Sequence, residues 1–226
     1  MGGKNKLQRF AENLTFDNLF QYSYEQLYQD AFPFKGRWSS DFFKNNLPII
    51  LELGCGKGEY TIGLAEKKPD FNFIGFDIKG ARLWRGLINA SEKNLKNVAF
   101  VRSKIELINE YFSKDEISEI WITFPDPQPQ KSRTRKRLTS PYFLNRYKQI
   151  LKDDGLIHLK TDSDLLYKYT LELLLNESHP VYYHTDDLYA TSEILEVKQI
   201  QTFYEKIWLS EGLTIKYIRF GLNHEK

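Results

Sequence analysis

Short apolar runs alternate with helical stretches between residues 48 and 177, and this alternation restricts the possible folds more than any other feature. The run IILEL at 49–53 is almost wholly apolar and is followed at once by glycine, as in a strand buried on both faces. Strands and helices that alternate form a doubly wound, mostly parallel sheet with right-handed crossovers. We predict strands at 49–53, 71–78, 97–103, 117–124 and 155–161, and helices at 59–68, 80–95, 105–113, 141–152 and 164–177.

The C-terminal tail departs from this alternation. It predicts strands at 181–185 and 213–220, separated by a long connection with a short helix at 202–211. An otherwise parallel sheet can carry an antiparallel strand at its edge. We therefore predict an α/β fold with a mostly parallel seven-stranded sheet whose final strand is antiparallel.

The N-terminal region also lies outside the alternation. Residues 1–10 predict a flexible, mildly basic arm, and residues 16–38 are rich in aromatic side chains and partly helical. We expect these aromatic side chains to pack in a core rather than to stack on unpaired bases. The sequence thus predicts an arm and helical extension at 1–38 and a main domain at 39–226.

A glycine-rich loop follows the first predicted strand, in the sequence ELGCGKG, and it contains Gly54, Gly56 and Gly58. Glycine lets backbone N–H groups and the start of a helix approach a ligand closely. Asp77 ends the next strand about 20 residues further on, where a carboxylate can accept hydrogen bonds from ribose hydroxyls. Glu52 precedes the loop, where burying an acid without a role is costly. Together these residues predict a site for an adenosine-type cofactor, whereas the glycines alone could form a simple turn.

A lone acid lies between prolines directly after the fourth predicted strand, in the sequence ITFPDPQPQKSRTRKRL at 122–138. Ligands of open α/β sheets lie beyond the carboxyl ends of the strands, so Asp126 should point into that crevice. Pro125 and Pro127 restrict φ on both sides of Asp126 and hold it at a small entropic cost. Asp162 ends the fifth strand and should enter the same crevice as a second anchor. It could at the same time cap the helix that follows, sharing that role with Ser163 and Asp164.

A cluster of cations comes next in the chain, with no acid among them: Lys131, Arg133, Arg135, Lys136 and Arg137. The net charge of the whole chain is only +2, so any affinity for nucleic acid must come from such a local cluster. Most basic runs are solvated surface, but this one adjoins the predicted reaction centre, and phosphates would neutralise its self-repulsion. We therefore expect these side chains to contact an RNA backbone without reading its bases.

The glycine loop and its two acids resemble those of class I S-adenosylmethionine-dependent methyltransferases. The resemblance implies a Rossmann-like fold in which Glu52 and the three glycines line the methionine part of the cofactor, while Asp77 and Ile78 line the ribose part. The F-P-D-P segment differs from the N/D-P-P-Y/F motif of enzymes that methylate exocyclic amines, which indicates a different acceptor. Guanine N7 suits these residues, because its in-plane lone pair needs no general base and catalysis can rest on orientation and a nearby anion.

The segment FPDPQPQKSRTRKRL is similar to the F-P-D-P-W-P-K-K-R-H-x-K-R-R-L signature of bacterial tRNA (guanine-N7)-methyltransferases, and the likeness extends through KTD to TFYEKIWLSEG. It implies methyl transfer from S-adenosylmethionine to N7 of a variable-loop guanosine, guanosine 46, in tRNA. It also implies that Asp126 is the catalytic and cofactor-side residue. The residues that it assigns to substrate binding are Lys131, Asp162, Thr202 and Glu205.

The sequence departs from this signature at several positions. Gln128 and Gln130 replace the tryptophan and the first lysine, so Lys131 is the nearest match to the lysine that binds substrate. The acid and alanine that follow the third strand in the family are Lys104 and Ile105 here. We expect a backbone N–H group and apolar packing at these two positions to hold the adenine instead.

Other functions fit part of the same pattern. An S-adenosylmethionine-dependent methyltransferase that acts on another RNA would use the glycine loop, the acids and the basic cluster. One that acts on a small molecule would leave the basic cluster without a role. A non-catalytic RNA-binding protein with this fold would have no need of the intact glycine loop and acids. An NAD dehydrogenase is disfavoured, because the G-x-G-x-x-G spacing and a hydride-relay histidine are missing.

The remaining features concern location and metals. Cys55 is the only cysteine, no apolar stretch approaches the length of a membrane span, and MGGKNKLQRF lacks the apolar run of a signal peptide. The histidines show no metal-ligand spacing. We therefore expect a cytoplasmic monomer or homodimer that binds tRNA but neither a membrane nor a metal.

Overall fold

The computed structural model describes residues 4–193 and 196–223. The chain divides into two compact units, Met1–Ser113 and Lys114–Lys226, and each is described by itself. None of the helices in the described ranges combines the length and the apolar character needed to cross a bilayer.

The first unit contains four parallel strands in the spatial order β1-β4-β3-β2. The strands are β1 Leu19–Phe20, β2 Ile49–Leu53, β3 Asn72–Asp77 and β4 Val98–Arg102. The helices are α1 Lys6–Asn13, α2 Tyr24–Gln29, α3 Glu59–Lys67, α4 Gly80–Glu92 and α5 Ile108–Tyr111, with a short π-helix at Trp38–Phe42 and a 3₁₀ helix at Ile105–Leu107.

The inner strands of this unit form because their residues are buried on both faces. Every residue of β2 and β3 is buried, which explains the nearly continuous apolar runs. Phe100 on β4 fills the space beside three glycines: a Cβ added at Gly58, Gly75 or Gly86 would lie 2.8, 2.6 or 2.7 Å from its ring. These glycines therefore let the start of α3 and the middle of α4 approach the sheet.

The N-terminal extension is more ordered than the predicted arm. Asn5 begins α1 with a capping box, in which its side chain accepts from the Gln8 backbone and the Gln8 side chain accepts from Asn5. The expected core packing holds for part of the aromatic run: Phe20, Phe32 and Trp38 are buried, and the Trp38 indole donates to the Tyr111 carbonyl at 2.9 Å, whereas Tyr24 and Tyr28 are exposed. The boundary that we predicted at residue 38 stays a prediction.

The second unit contains four strands in the order β5-β6-β8-β7. The strands are β5 Ile117–Thr123, β6 Leu151–Thr161, β7 Val181–Thr185 and β8 Lys216–Phe220. The helices are α6 Pro141–Tyr147, α7 Asp164–Asn176 and α8 Phe203–Ser210, with 3₁₀ helices at Lys131–Lys136 and Glu196–Gln199. β5 and β6 are parallel, and β8 is antiparallel to both β6 and β7.

The predicted α/β class and the antiparallel final strand are confirmed, and three details differ. The described residues contain eight strands rather than seven, because the two-residue β1 pairs with β4. The helix predicted at 141–152 ends at Tyr147, and β6 begins at Leu151. The basic run, for which the sequence predicted neither helix nor strand, forms a 3₁₀ helix.

Candidate active site

The predicted cofactor residues of the first unit meet at one edge of its strands. β2, β3 and β4 are parallel, and the register pairs Leu53 with Phe76 and Asp77 with Arg102. Gly54, Asp77 and the residues after Arg102 therefore lie at the same carboxyl edge, where ligands of open α/β sheets bind.

The glycine loop is tied to the end of β3 by Asp77. Asp77 Oδ2 accepts from the Gly56 backbone N–H at 2.9 Å, and Oδ1 accepts from the Lys79 N–H at 2.7 Å. Gly54 and Gly56 have φ of +71° and +56°, a region that disfavours other residues. A Cβ at Gly54 would meet nothing within 4 Å, so backbone conformation, and not lack of space, requires glycine there.

Glu52 anchors the helix that follows this loop. The carboxylate is buried and Oε2 accepts from the Thr61 backbone N–H at 2.8 Å and from the Thr61 hydroxyl. Thr61 lies in the first turn of α3, where the helix dipole favours a negative charge. Burial, together with the charges of Glu52 and Asp77, raises the pKa of the Cys55 thiol well above its usual value, so Cys55 is an inert packing residue.

A cavity of about 800 Å³ opens beside this edge within the first unit. Ile78, Ser103 and Lys104 line it, and the Ile78 side chain is 51% exposed. Ile105 begins the 3₁₀ helix next to it. The lining matches an apolar platform with a few polar groups, which suits a nucleoside.

The extension supplies the opposite wall of this cavity, which we did not predict from the sequence. Gln21, Tyr22 and Tyr24 line it, because β1 is parallel to β4 and ends at the same edge. Arg102 Nη1 donates to Gln21 Oε1 at 3.1 Å and so joins the two walls. The only sequence signal is the aromatic run itself, because a two-residue strand shows no periodicity.

In the second unit, Asp126 occupies a strained turn directly after β5. The two non-glycine residues that flank the Pro-Asp-Pro sequence, Phe124 and Gln128, have φ of +49° and +46°. Asp126 is exposed, and its Oδ1 accepts from the Gln128 backbone N–H at 3.0 Å. Non-glycine residues in this region cost about 1–3 kcal/mol each, and such strain is concentrated at functional sites.

Arg137 stabilises this turn through hydrogen bonds to its backbone. It is 6% exposed, and its Nε lies 3.2 Å from the Pro127 carbonyl oxygen and 3.3 Å from that of Gln128, while Nη2 donates to the same Gln128 oxygen at 3.2 Å. Its guanidinium also lies 4.3 Å from the centroid of the Tyr169 ring. Arg137, which we predicted to contact RNA, therefore makes its hydrogen bonds to backbone carbonyl groups of the turn.

The other four cations of the cluster are exposed: Lys131, Arg133, Arg135 and Lys136. Arg135 lies over the Tyr142 ring at 4.3 Å, so part of its charge is stacked on an aromatic face. The 3₁₀ helix has no acidic residue in its first turn, and its last turn holds three of these cations.

Asp162 lies at the same carboxyl edge as Asp126, because β5 and β6 are parallel and the register pairs Thr123 with Lys160. Ser163, and not Asp162, caps α7 by accepting from the Leu166 N–H. The shared cap that we predicted for residues 162–164 is thus supplied by the Ser163 side chain, and the role of Asp162 in substrate binding stays a prediction.

Glu205 is buried in a polar network. Its Oε1 accepts from Lys160 Nζ at 2.6 Å and from the Tyr189 hydroxyl at 2.6 Å, and both ion-pair side chains are 0% exposed. Thr202 and Glu205 form a capping box at the start of α8. Burial lowers the pKa of Lys160 to about 8, although Glu205 opposes this shift. Thr202 and Glu205 thus fix α8, and direct substrate contacts by these residues stay a prediction.

Within the described residues, no three His, Cys, Asp or Glu side chains are placed to hold a metal ion. His224 lies outside the described ranges.

Solved structures share this fold. The crystal structure of the 16S rRNA methyltransferase KamB matches with a TM-score of 0.62 and 12% identity, covering 84% of this chain and 94% of that one. A 16S rRNA (adenine(1408)-N(1))-methyltransferase from Catenulisporales acidiphilia matches with a TM-score of 0.59 and 14% identity, covering 83% and 93%. Both proteins share little sequence with this chain, so they establish the fold alone, which is that of a class I methyltransferase.

Sequence comparisons narrow this class. The profile of a family described as "Putative methyltransferase" matches residues 46–218. A tRNA (guanine-N(7)-)-methyltransferase of Christiangramia forsetii is 57% identical over 98% of this chain and 100% of that protein. One from Bacteroides fragilis is 48% identical over 99% of this chain and 88% of that protein. The chain belongs to the tRNA (guanine-N7)-methyltransferase family.

Proposed function

We propose that this protein transfers the methyl group of S-adenosylmethionine to N7 of guanosine 46 in the variable loop of tRNA. One observation carries the proposal: an exposed carboxylate, Asp126, is fixed in a strained turn at the carboxyl end of β5, with exposed cations following it in the chain. The near-full-length relatives are named tRNA (guanine-N(7)-)-methyltransferases, which supports N7 of a tRNA guanine as the acceptor, while guanosine 46 is the finer part of the proposal.

The first unit would hold the cofactor. Gly54 leaves open space where a side chain would otherwise stand, which suits close approach of the methionine part. Each Asp77 oxygen accepts one backbone hydrogen bond and keeps a second lone pair for the ribose hydroxyls. Ile78, Lys104 and the neighbouring Ile105 would enclose the adenine in the cavity. Glu52 would act by holding the start of α3.

The chemistry at N7 requires orientation more than proton transfer. The bound cofactor supplies an electrophilic methyl group on a sulfonium. The in-plane lone pair of N7 would form the new N–C bond as the C–S bond of the donor breaks. The positive charge would pass from sulfur to the purine, a neutral thioether would leave, and no proton would be lost. Asp126 would hold the N–H edge of the guanine and stabilise the growing charge. Correct orientation of this kind contributes roughly 7–11 kcal/mol to lowering a barrier.

The second unit would bind the RNA. Lys131, Arg133, Arg135 and Lys136 are exposed and would contact phosphates. Asp162 shares the strand edge with Asp126 and would contact the substrate beside it. Thr202 and Glu205 would contribute through the position of α8.

The test is to incubate the purified protein with labelled S-adenosylmethionine and bulk unmodified tRNA, and then to digest the RNA to nucleosides. Label in 7-methylguanosine, mapped to the variable loop, is the expected result. Label in another nucleoside would indicate a different RNA methyltransferase, and transfer only to small molecules would remove the role of RNA. Cofactor and tRNA binding without transfer would identify a non-catalytic RNA-binding protein. A cytoplasmic location and a monomeric or homodimeric state stay predictions.

A further inference from the structure

Helix α8 places aromatic side chains in contact with the turn that carries Asp126. The Trp208 ring lies 5.0 Å from the ring of Phe124, and the Tyr204 ring stacks on Trp208 at 6.0 Å with an interplanar angle of 28°. Phe124 directly precedes Pro125 and Asp126 in the chain. Phe124, Trp208 and Tyr204 thus form one continuous row of rings, called here the aromatic surface.

An adjacent face of α8 is held in place by a buried ion pair. Glu205 is 0% exposed and pairs with Lys160, whose Nζ also donates to the Val197 and Ile200 carbonyls at 3.0 and 3.1 Å. The Phe124 N–H donates to the Lys160 carbonyl at 2.8 Å, and Lys160 Nζ lies 5.8 Å from the Phe124 ring. The aromatic surface is therefore a rigid feature whose position relative to Asp126 is set by β6.

The outer part of this surface is open. Tyr204 is 52% exposed, and the neighbouring Phe203 contacts it edge-on at 5.5 Å. Exposed aromatic groups on a fixed helix, next to a strained turn, mark an interaction surface rather than a core. Aromatic rings in such positions stack on unpaired bases of RNA, since every base has a π face.

The charges nearby in the chain indicate the kind of partner. The turn after Phe124 leads within seven residues to Lys131, and exposed cations continue to Lys136. A polyanion can run along such a cluster while its bases reach an aromatic group, a combination typical of single-stranded nucleic-acid sites. A protein partner or a second copy of this chain would not require the cations.

We propose that Tyr204, supported by Trp208 and Phe124, stacks on an unpaired nucleobase of the RNA substrate and so holds the segment beside the target guanosine. The inference rests on the proposed function in one respect, namely that the substrate is RNA. N7 of a guanine in a folded loop is reached more easily when its neighbour is unstacked and held.

The experiment measures the Kd of the full-length protein for unmodified tRNA over a series of salt concentrations. Tyr204→Ala should weaken binding about tenfold at every salt concentration, because stacking releases no counterions. Tyr204→Phe should bind like the wild type, because the ring is kept. Arg133→Gln, in contrast, should reduce the salt slope by about 1. Tyr182→Ala, which removes a tyrosine of 55% exposure on β7, is the matched control and should change neither quantity.

A second measurement separates stacking from a purely structural effect. The wild type should prefer a single-stranded oligoribonucleotide over a duplex of the same sequence, and Tyr204→Ala should lose much of that preference while it keeps its S-adenosylmethionine affinity. Three outcomes would overturn the proposal. Tyr204→Ala could bind tRNA as tightly as the wild type, or it could lose affinity equally for the single strand and the duplex. It could also change sedimentation from dimer to monomer while its RNA affinity stays unchanged. Because binding needs no methyl transfer, a protein that shows the Tyr204 dependence but makes no 7-methylguanosine would contradict only the proposed function.

Discussion

Arg137 donates through Nη2 to the backbone carbonyl of Gln128 at 3.2 Å, and thereby fixes the residue whose N–H holds the Asp126 carboxylate. The buried cation Arg137 therefore contacts the strained backbone at Gln128, and Gln128 in turn contacts the candidate catalytic acid Asp126. The consequence is that the basic cluster contains two kinds of residue: exposed cations available to phosphate, and one internal brace. We therefore expect replacement of an exposed cation to weaken tRNA binding, and replacement of Arg137 to reduce turnover.

Asp126→Asn should reduce kcat about 100-fold, because the amide keeps its shape but lacks the charge that favours a cationic purine. The amide oxygen can still accept from the Gln128 N–H, so the turn should remain folded. Single-turnover methylation of saturating tRNA measures the effect, with tRNA affinity as the control. Normal turnover in this variant would remove the role assigned to Asp126.

Arg137→Gln should reduce kcat about tenfold and leave the salt slope of tRNA binding unchanged, because the guanidinium braces a turn and does not meet phosphate. The carbonyls of Pro127 and Gln128 lose charge-assisted hydrogen bonds, each worth ~1.5–3 kcal/mol. Steady-state kinetics combined with a salt titration of the Kd tests this. The matched variant is Arg133→Gln, which should lower the slope by about 1 and preserve kcat at saturation. The reverse pattern would make Arg137 a phosphate contact.

Lys160→Met should lower the free energy of unfolding by about 3–5 kcal/mol, because it leaves the Glu205 carboxylate buried without its cation. The double variant Lys160→Met/Glu205→Gln should recover part of this loss, since the remaining amide can still accept from Tyr189. Urea unfolding followed by circular dichroism measures both. The exposed pair Lys93–Glu66 is the control, and its removal should cost less than about 1 kcal/mol. A double variant less stable than Lys160→Met would contradict the pairing.

Much of the fold follows from the sequence, because strands buried on both faces are apolar throughout. The run at 49–53 matches β2, in which every residue is buried. The strand predicted at 181–185 also matches, but β7 lies at the edge of the sheet and none of its residues is buried, so its signal was its β-branched and aromatic residues. The helix predicted to continue to residue 152 fails because tertiary pairing overrides local propensity: Leu151 pairs with Ile117, and the register shifts beside it. β1 has two residues, too few for any periodic pattern.

The candidate site was predictable where a residue's type demands a special backbone. Three glycines and two prolines report positions that need positive φ or fixed φ, and the loops containing them were placed correctly after β2 and β5. The direction of long charged side chains was not predictable. Nothing in a run of like charges shows that the Arg137 side chain is buried. For Lys160, the only signal of a buried partner was a charged residue within an otherwise apolar strand.

Asp77→Asn should weaken S-adenosylmethionine binding at least tenfold while leaving tRNA affinity unchanged. Both Asp77 oxygens accept from backbone N–H groups, and an amide can supply only one of those acceptors. The NH₂ group of the asparagine would then face a backbone N–H group, and two donors cannot form a hydrogen bond. Either the glycine loop at Gly56 or the start of α4 at Lys79 would therefore lose its contact with residue 77. Isothermal titration with S-adenosylmethionine, in parallel with tRNA binding, measures the separation. The exposed acid Asp70 gives a control variant, Asp70→Asn, that should bind both ligands normally. Equal weakening of cofactor and tRNA in Asp77→Asn would instead indicate general unfolding, and unchanged cofactor binding would show that the ribose is held elsewhere.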